Sequence, residues 1–179
     1  AARGKKVFVD LKFFDVPETV KRAVAALKGR PVEFATVHGN QGIMEAAVAA
    51  DSGVKILGVT VLTSLDRGDI ADLGFACDTA DLVLSRARRA LEAGCAGVIS
   101  SGLEAARLRS ELGEKLLIIS PGIRPVDNAA EDDQKRIVTP RAAFEAGADY
   151  IVVGRPIRNA ADPRAKAEEI QTEIAAVFA

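Results

Sequence analysis

Asp10, Lys12 and Asp15 fall within one short run, Val9-Asp10-Leu11-Lys12-Phe13-Phe14-Asp15. An ammonium group flanked by carboxylates can hold, donate and recover a proton, and interior charges persist only when they are paired. Alternation along a strand puts Asp10 and Lys12 on the same side, here toward a core. The same residues also fit a structural ion pair, with Asp15 capping the helix that Pro17 begins.

A second group of residues suits an anion. Val152-Val153-Gly154-Arg155-Pro156 ends an apolar run, where glycine lets the backbone approach a phosphate and Arg155 supplies donors and charge. A tight turn with a solvated arginine is the other reading. Ser120-Pro121-Gly122-Ile123-Arg124 ends the preceding run and opens a polar stretch from Pro125 to Arg136 without periodicity. A loop of that length in a compact domain is more often a lid or binding loop than a plain connection, and Arg124 and Gln134 would then contact the ligand. Leu62-Thr63-Ser64 offers hydroxyl and backbone donors, or a simple turn. His38 is the only histidine; standing beside apolar residues, it reads as structural and is assigned no chemistry.

The elements that must position these groups are short and repeated. Candidate strands are Val7–Asp10, Glu33–His38, Lys55–Leu62, Ala96–Ser101, Leu116–Ile123 and Tyr150–Gly154. Their Val and Ile content suits parallel strands covered on both faces. Between them lie helices with legible ends. Pro17 precedes Val20, Val24 and Leu27 on one face; Asp78 or Thr79 can cap a helix that ends at Gly94. Thr139-Pro140 and Asp162-Pro163 each pair a cap with proline at the first helical position. Glu92-Ala93-Gly94-Cys95-Ala96-Gly97-Val98-Ile99 echoes Glu145-Ala146-Gly147-Ala148-Asp149-Tyr150-Ile151-Val152, so the βα unit recurs. Recurring βα units form a barrel or an open doubly wound sheet, and no G-x-G-x-x-G follows the first strand to favour the latter.

The expected fold is therefore α/β, a (β/α)8 TIM barrel in a single domain over residues 1–179. Such barrels have eight strands and run to about 250 residues. Six strands are legible, and the basic stretch Ala1–Lys6 enters the first of them at once. Two N-terminal βα units are expected to be missing from this chain.

Composition narrows the function classes. A net charge of −1, seven Phe, one Tyr and no Trp leave neither a basic footprint nor a stacking surface for nucleic acid. No apolar run reaches the roughly 20 residues that span a bilayer, and no signal peptide opens the chain. Cys77 and Cys95 read as reduced core residues rather than a disulfide or metal site. A cytoplasmic enzyme or binding protein fits best.

Taken together, Val9 to Thr19, Val59-Thr60-Val61-Leu62-Thr63-Ser64, Pro121-Gly122-Ile123-Arg124, Asp133-Gln134 and Val153-Gly154-Arg155-Pro156-Ile157 resemble the orotidine 5'-phosphate decarboxylase family, bacterial type. The D-x-K-x-x-D element alone is shared with related barrel enzymes; its combination with the other segments is specific. The resemblance implies decarboxylation of orotidine 5'-monophosphate to uridine 5'-monophosphate in pyrimidine biosynthesis, without cofactor or metal. It implies Lys12 as proton donor to C6 of the pyrimidine and Asp10 beside the substrate carboxylate. Asp15 would reach into a second subunit's site, making the unit a homodimer. Thr19, Thr63 and Pro121 would belong to the substrate-binding set, Thr63 at the pyrimidine, while Arg124, Gln134, Gly154 and Arg155 hold the phosphate. The family's further lysine and ribose-binding aspartate lie on its first two strands, so this chain alone is expected to be inactive or severely impaired. Rival readings are a Mg2+-dependent sugar-phosphate aldolase or decarboxylase of the same superfamily, and a non-catalytic phosphate-binding barrel.

Overall fold

The computed structural model describes residues 4–124 and 137–179. In chain order the elements are β1 (Val7–Phe13), α1 (Pro17–Ala25), β2 (Val32–His38), α2 (Gln41–Val48) and β3 (Lys55–Val59). Then follow α3 (Arg67–Asp72), α4 (Thr79–Glu92), β4 (Gly97–Ile99), α5 (Gly102–Leu112) and β5 (Leu117–Ser120). The chain continues through α6 (Pro140–Glu145), β6 (Tyr150–Ile151), α7 (Arg155–Arg158) and α8 (Pro163–Ala175). All six strands are parallel and stand in sequence order, β1-β2-β3-β4-β5-β6. Each neighbouring pair is joined through helix, which is how parallel strands must be connected.

Two hydrophobic clusters mark the two faces of the sheet. On the outer face Val20 and Val24 of α1, Met44 of α2 and Val83 of α4 pack against Ala35, Val37, Ile56 and Val98. On the inner face Phe34, Leu57, Val59, Ile99 and Ile119 form a separate cluster, with Phe8 and Val152 against it. The period of two along each strand divides these sets: Ala35 and Val37 face the helices, Phe34 and Thr36 the interior. The sheet curls. The ring of Tyr150 on β6 meets that of Phe34 on β2 at 5.4 Å between centroids, edge to face. Among the described residues, six strands form one curled parallel sheet, and β1 and β6 are its two terminal strands.

Helix starts follow the caps read from sequence at Thr139 and Asp162, but Asp15 does not cap α1, whose N-cap is Val16, and Asp78 makes no capping bond. Thr139 Oγ1 accepts from the Ala142 amide, and Asp162 Oδ1 from those of Arg164 and Ala165. Gly94 and Gly147 stop α4 and α6 at φ of 81° and 100°, a conformation that costs glycine little. Asp78 stands at the N-cap of α4 but makes no side-chain capping bond, so α4 is held by its buried face instead. Four strands, β3 to β6, end earlier than their expected runs, because the residues from Thr60, Ser100, Pro121 and Val152 onward leave the ladder. β1 runs three residues longer than its apolar stretch. Cys95 is buried as expected; Cys77 is exposed, contrary to expectation, in the connection between α3 and α4.

Candidate active site

Lys12 and Asp10 meet where β1 departs from regular pairing. Val9 pairs with Ala35 and Phe13 with Val37, so β1 places an excess of residues opposite β2. Alternation holds through the bulge: Phe8, Asp10 and Lys12 line the inner cavity, while Val9 and Phe13 pack against the helix-covered face. Lys12 takes φ of 48°, one of two non-glycine residues in that region among those described. Its Nζ lies 2.8 Å from Asp10 Oδ2. Both side chains are more than a third exposed, so the ion pair contributes on the order of 0–1 kcal/mol to stability. Left-handed backbone at a non-glycine residue costs about 1–3 kcal/mol. The ion pair alone therefore does not offset the strain, and Lys12 also relies on the bond from its amide to Thr36 Oγ1.

The pair forms one wall of a cavity of about 160 Å3. Leu62, Thr63 and Ser64 after β3 form another wall, and Pro121 after β5 closes a third side. Phe8, Val59, Ile99 and Val152 make its apolar floor. Charged and hydroxylic groups at the carboxyl ends of the strands thus stand over an apolar interior. This is where βα sheets of this kind bind and transform ligands.

Arg86 of α4, which sequence reasoning passed over, supports this site from behind. Its Nη1 donates to the Thr60 carbonyl, and its guanidinium lies 5.6 Å from the Phe75 ring centroid. Burial pushes the Arg86 guanidinium below its ordinary range. Thr36 was missed as well. Its Oγ1 donates to Asp10 Oδ1 and accepts from the Lys12 amide, both at 2.9 Å. The available signal was its inward register with Phe34, one strand over from Asp10.

Other expected site residues are distributed around the same end of the sheet. The Ile123–Val138 bridge ties the two ends of the polar stretch together, with the Arg124 amide donating to the Val138 carbonyl. Arg124 is buried and its Nη1 donates to the Ile123 carbonyl 2.8 Å away. Gly154 precedes α7 with open space where a Cβ would stand, and Arg155 begins that helix. Gln134, expected at the phosphate, lies outside the described residues, as do positions 125–136 generally. Thr19 sits on the exposed face of α1 and does not line the cavity.

Asp15 is also outside the cavity. Its Oδ1 accepts from the Val16 amide at 2.7 Å, and it borders an apolar depression with Phe14, Val16 and Ile43. His38 is structural in its contacts, with Nδ1 3.1 Å from Asn40 Oδ1 and its ring against Phe14. Glu33 lies at the amino end of the sheet, where hydrogen bonds from Lys55 and Lys6 hold its carboxyl below the usual range. Its partner Lys55 is raised in turn by that same bond. Glu33 thus stands at the start of β2, at the opposite end of the sheet from the Lys12–Asp10 cavity.

The fold is a curled sheet of six parallel strands joined by helices, with a lysine–carboxylate pair at the carboxyl ends of its strands, an α/β arrangement that suits an enzyme. The family model described as orotidine 5'-phosphate decarboxylase / HUMPS family matches residues 1–170, and the chain belongs to that family. It is 66% identical over 178 residues to the orotidine 5'-phosphate decarboxylase of Methylococcus capsulatus, covering 99% of this chain and 74% of that one. The enzyme of the same name from Nitrobacter winogradskyi is 55% identical, over 97% of this chain and 73% of its own. The crystal structure of orotidine 5'-phosphate decarboxylase from Lactobacillus acidophilus superposes with a TM-score of 0.81 at 36% identity, covering 97% of this chain and 77% of that one. These relatives are carboxy-lyases by name, and the chain spans about three quarters of their length.

Proposed function

We propose that this chain carries the chemistry of a cytoplasmic orotidine 5'-phosphate decarboxylase, converting orotidine 5'-monophosphate into uridine 5'-monophosphate and carbon dioxide. The observation that carries the reading is the 2.8 Å Lys12–Asp10 pair on the wall of a cavity shared with Thr63 and Pro121. In the reaction the bond from C6 to the carboxyl carbon breaks and its electron pair stays on C6. Lys12 Nζ then delivers the proton that forms the C6–H bond, and solvent restores the ammonium. No cofactor spreads the carbanion's charge, so the barrier falls through positioning and a fixed positive charge. Enzymes reach roughly 8–23 kcal/mol of barrier reduction, and preorganised charge avoids the cost of reorganising solvent. Asp10 orients Lys12 and faces the departing carboxylate.

Thr63 and Pro121 stand at the pyrimidine, and Thr19 belongs to the substrate-binding set. Arg124, Gln134, Gly154 and Arg155 take the phosphate, whose remote contacts provide binding energy usable in the transition state. The relatives' further length supplies two βα units that lie between β6 and β1 and complete an eight-stranded barrel. Two such chains form a homodimer, with Asp15 of each directed to the other's cavity; its position beside exposed Phe14 and Val16 supports this.

The test is the decarboxylation rate of the complete polypeptide, at the relatives' length, in EDTA. Lys12→Ala is expected to lower the rate at least about 10^3-fold, in the range of general-acid contributions. An unchanged rate, or one abolished by EDTA alone, overturns the reading.

A further inference from the structure

We propose that Thr36 is a positioning residue for the Asp10–Lys12 pair, acting through one hydroxyl that orients the carboxylate and pins the backbone carrying the lysine. The inference rests on the reading of that pair given above. A threonine hydroxyl has one hydrogen to donate and lone pairs to accept with. Thr36 uses both capacities toward the same two residues. It donates to Asp10 Oδ1 and accepts from the Lys12 amide, each at 2.9 Å. Asp10 Oδ2 in turn receives Lys12 Nζ at 2.8 Å. The contacts close a ring: hydroxyl, carboxylate, ammonium, lysine backbone, hydroxyl.

Each link of that ring answers a specific need. The register skip between Val9 and Phe13 leaves the bulged residues without ordinary ladder partners, and Thr36 Oγ1 takes the place of a carbonyl for the Lys12 amide. With φ at 48°, Lys12 occupies a conformation that persists only when its surroundings over-determine it. A carboxylate held at a single oxygen by a mobile ammonium can rotate; held at both oxygens it cannot. Thr36 is fully buried, between Ala35 and Val37 that face the helices, so water cannot readily substitute for its hydroxyl. The hydroxyl, not the bulk of the side chain, carries the function.

Valine has nearly the shape of threonine without the hydroxyl; serine keeps the hydroxyl without the methyl. In the complete polypeptide, Thr36→Val is expected to lower kcat for decarboxylation about 10–100-fold, as small misplacements of reacting groups do, with KM changed little. Thr36→Ser is expected to restore kcat to within a few-fold of the parent. In the unsubstituted protein the Lys12 amide is expected to show slowed hydrogen exchange, a readout that needs neither activity nor a folded variant. Retained kcat in Thr36→Val, equal damage in Thr36→Ser, or rapid exchange at Lys12 overturns the proposal. An inactive parent protein overturns the decarboxylase reading instead, and the exchange measurement then decides Thr36 by itself.

Discussion

Lys12 holds a backbone angle that its side chain disfavours, and the half-exposed ion pair it gains cannot stabilise the fold enough to explain it. Residue by residue, the site combines such strain with apolar support beneath. A different residue titrates for reasons of support alone. Burial pushes the Cys95 thiol up to about 12, from an ordinary 9.0. Between those values the unfolded chain releases this proton while the folded chain keeps it, so the unfolded state binds fewer protons and stability falls as pH rises. At about 1.4 kcal/mol per pH unit, the loss reaches about 2 kcal/mol near pH 10.5. Urea unfolding at about pH 8 and pH 10.5 is expected to show a smaller alkaline loss in Cys95→Ala than in the parent. Equal losses in both proteins would mean that Cys95 does not titrate in this way.

The elements repeat a strand–helix unit whose joints are specific. Arg109 of α5 is one such joint: its Nε donates to the Gly147 carbonyl at 2.8 Å and its Nη1 to the Leu116 carbonyl at 2.9 Å. It also pairs with Asp149, whose Oδ2 accepts from the Ile118 amide at 2.7 Å. One side chain thus locks the starts of β5 and β6 to α5. Arg109→Ala leaves these acceptors and the Asp149 carboxylate poorly served, and is expected to cost about 3 kcal/mol in urea unfolding. A loss under about 0.5 kcal/mol would show the joint to be ornamental, since surface changes without such partners fall in that range.

The six strands among the described residues are legible in the sequence as short apolar runs, and the paired Gly94 and Gly147 stops mark the recurring unit. The strand ends were not, because apolarity continues into Val61 and Val152–Val153 after ladder pairing has ceased. Nor was α3, whose Asp66–Asp69 capping box organises a polar stretch with one buried apolar residue, Ile70. At the candidate site, Asp10, Lys12, Thr63 and Pro121, which stand at or after three different strands, line one cavity. Thr36 and Arg86 were hidden because their partners lie 24 to 26 positions away, a separation no local pattern reveals.

Across the whole molecule, the sheet curls enough for β1 and Val152 after β6 to share a cavity, yet β1 and β6 remain its terminal strands. Unpaired strand edges invite association unless something covers them. Two further βα units, within the length by which the relatives exceed this chain, are the cover proposed above. No helix among the described residues is long and apolar enough to cross a membrane. Beside Asp15, Leu11, Phe14 and Val16 are 68%, 65% and 63% exposed. Their clustering at the mouth of the sheet is the physical basis for the proposed dimer. Sedimentation of the complete polypeptide is expected to give a dimer, and Phe14→Glu a shift toward monomer with a parallel loss of decarboxylation. A monomeric parent with full activity would remove Asp15 from the proposed mechanism.

The central claim concerns where one ammonium stands relative to one carbon. A crystal structure of the complete polypeptide with uridine 5'-monophosphate measures that directly. The account predicts C6 of the pyrimidine within about 3–3.5 Å of Lys12 Nζ, the separation of groups poised to react, and the phosphate at Arg155. A pyrimidine bound elsewhere, or Lys12 turned from the cavity with the nucleotide in place, would contradict it.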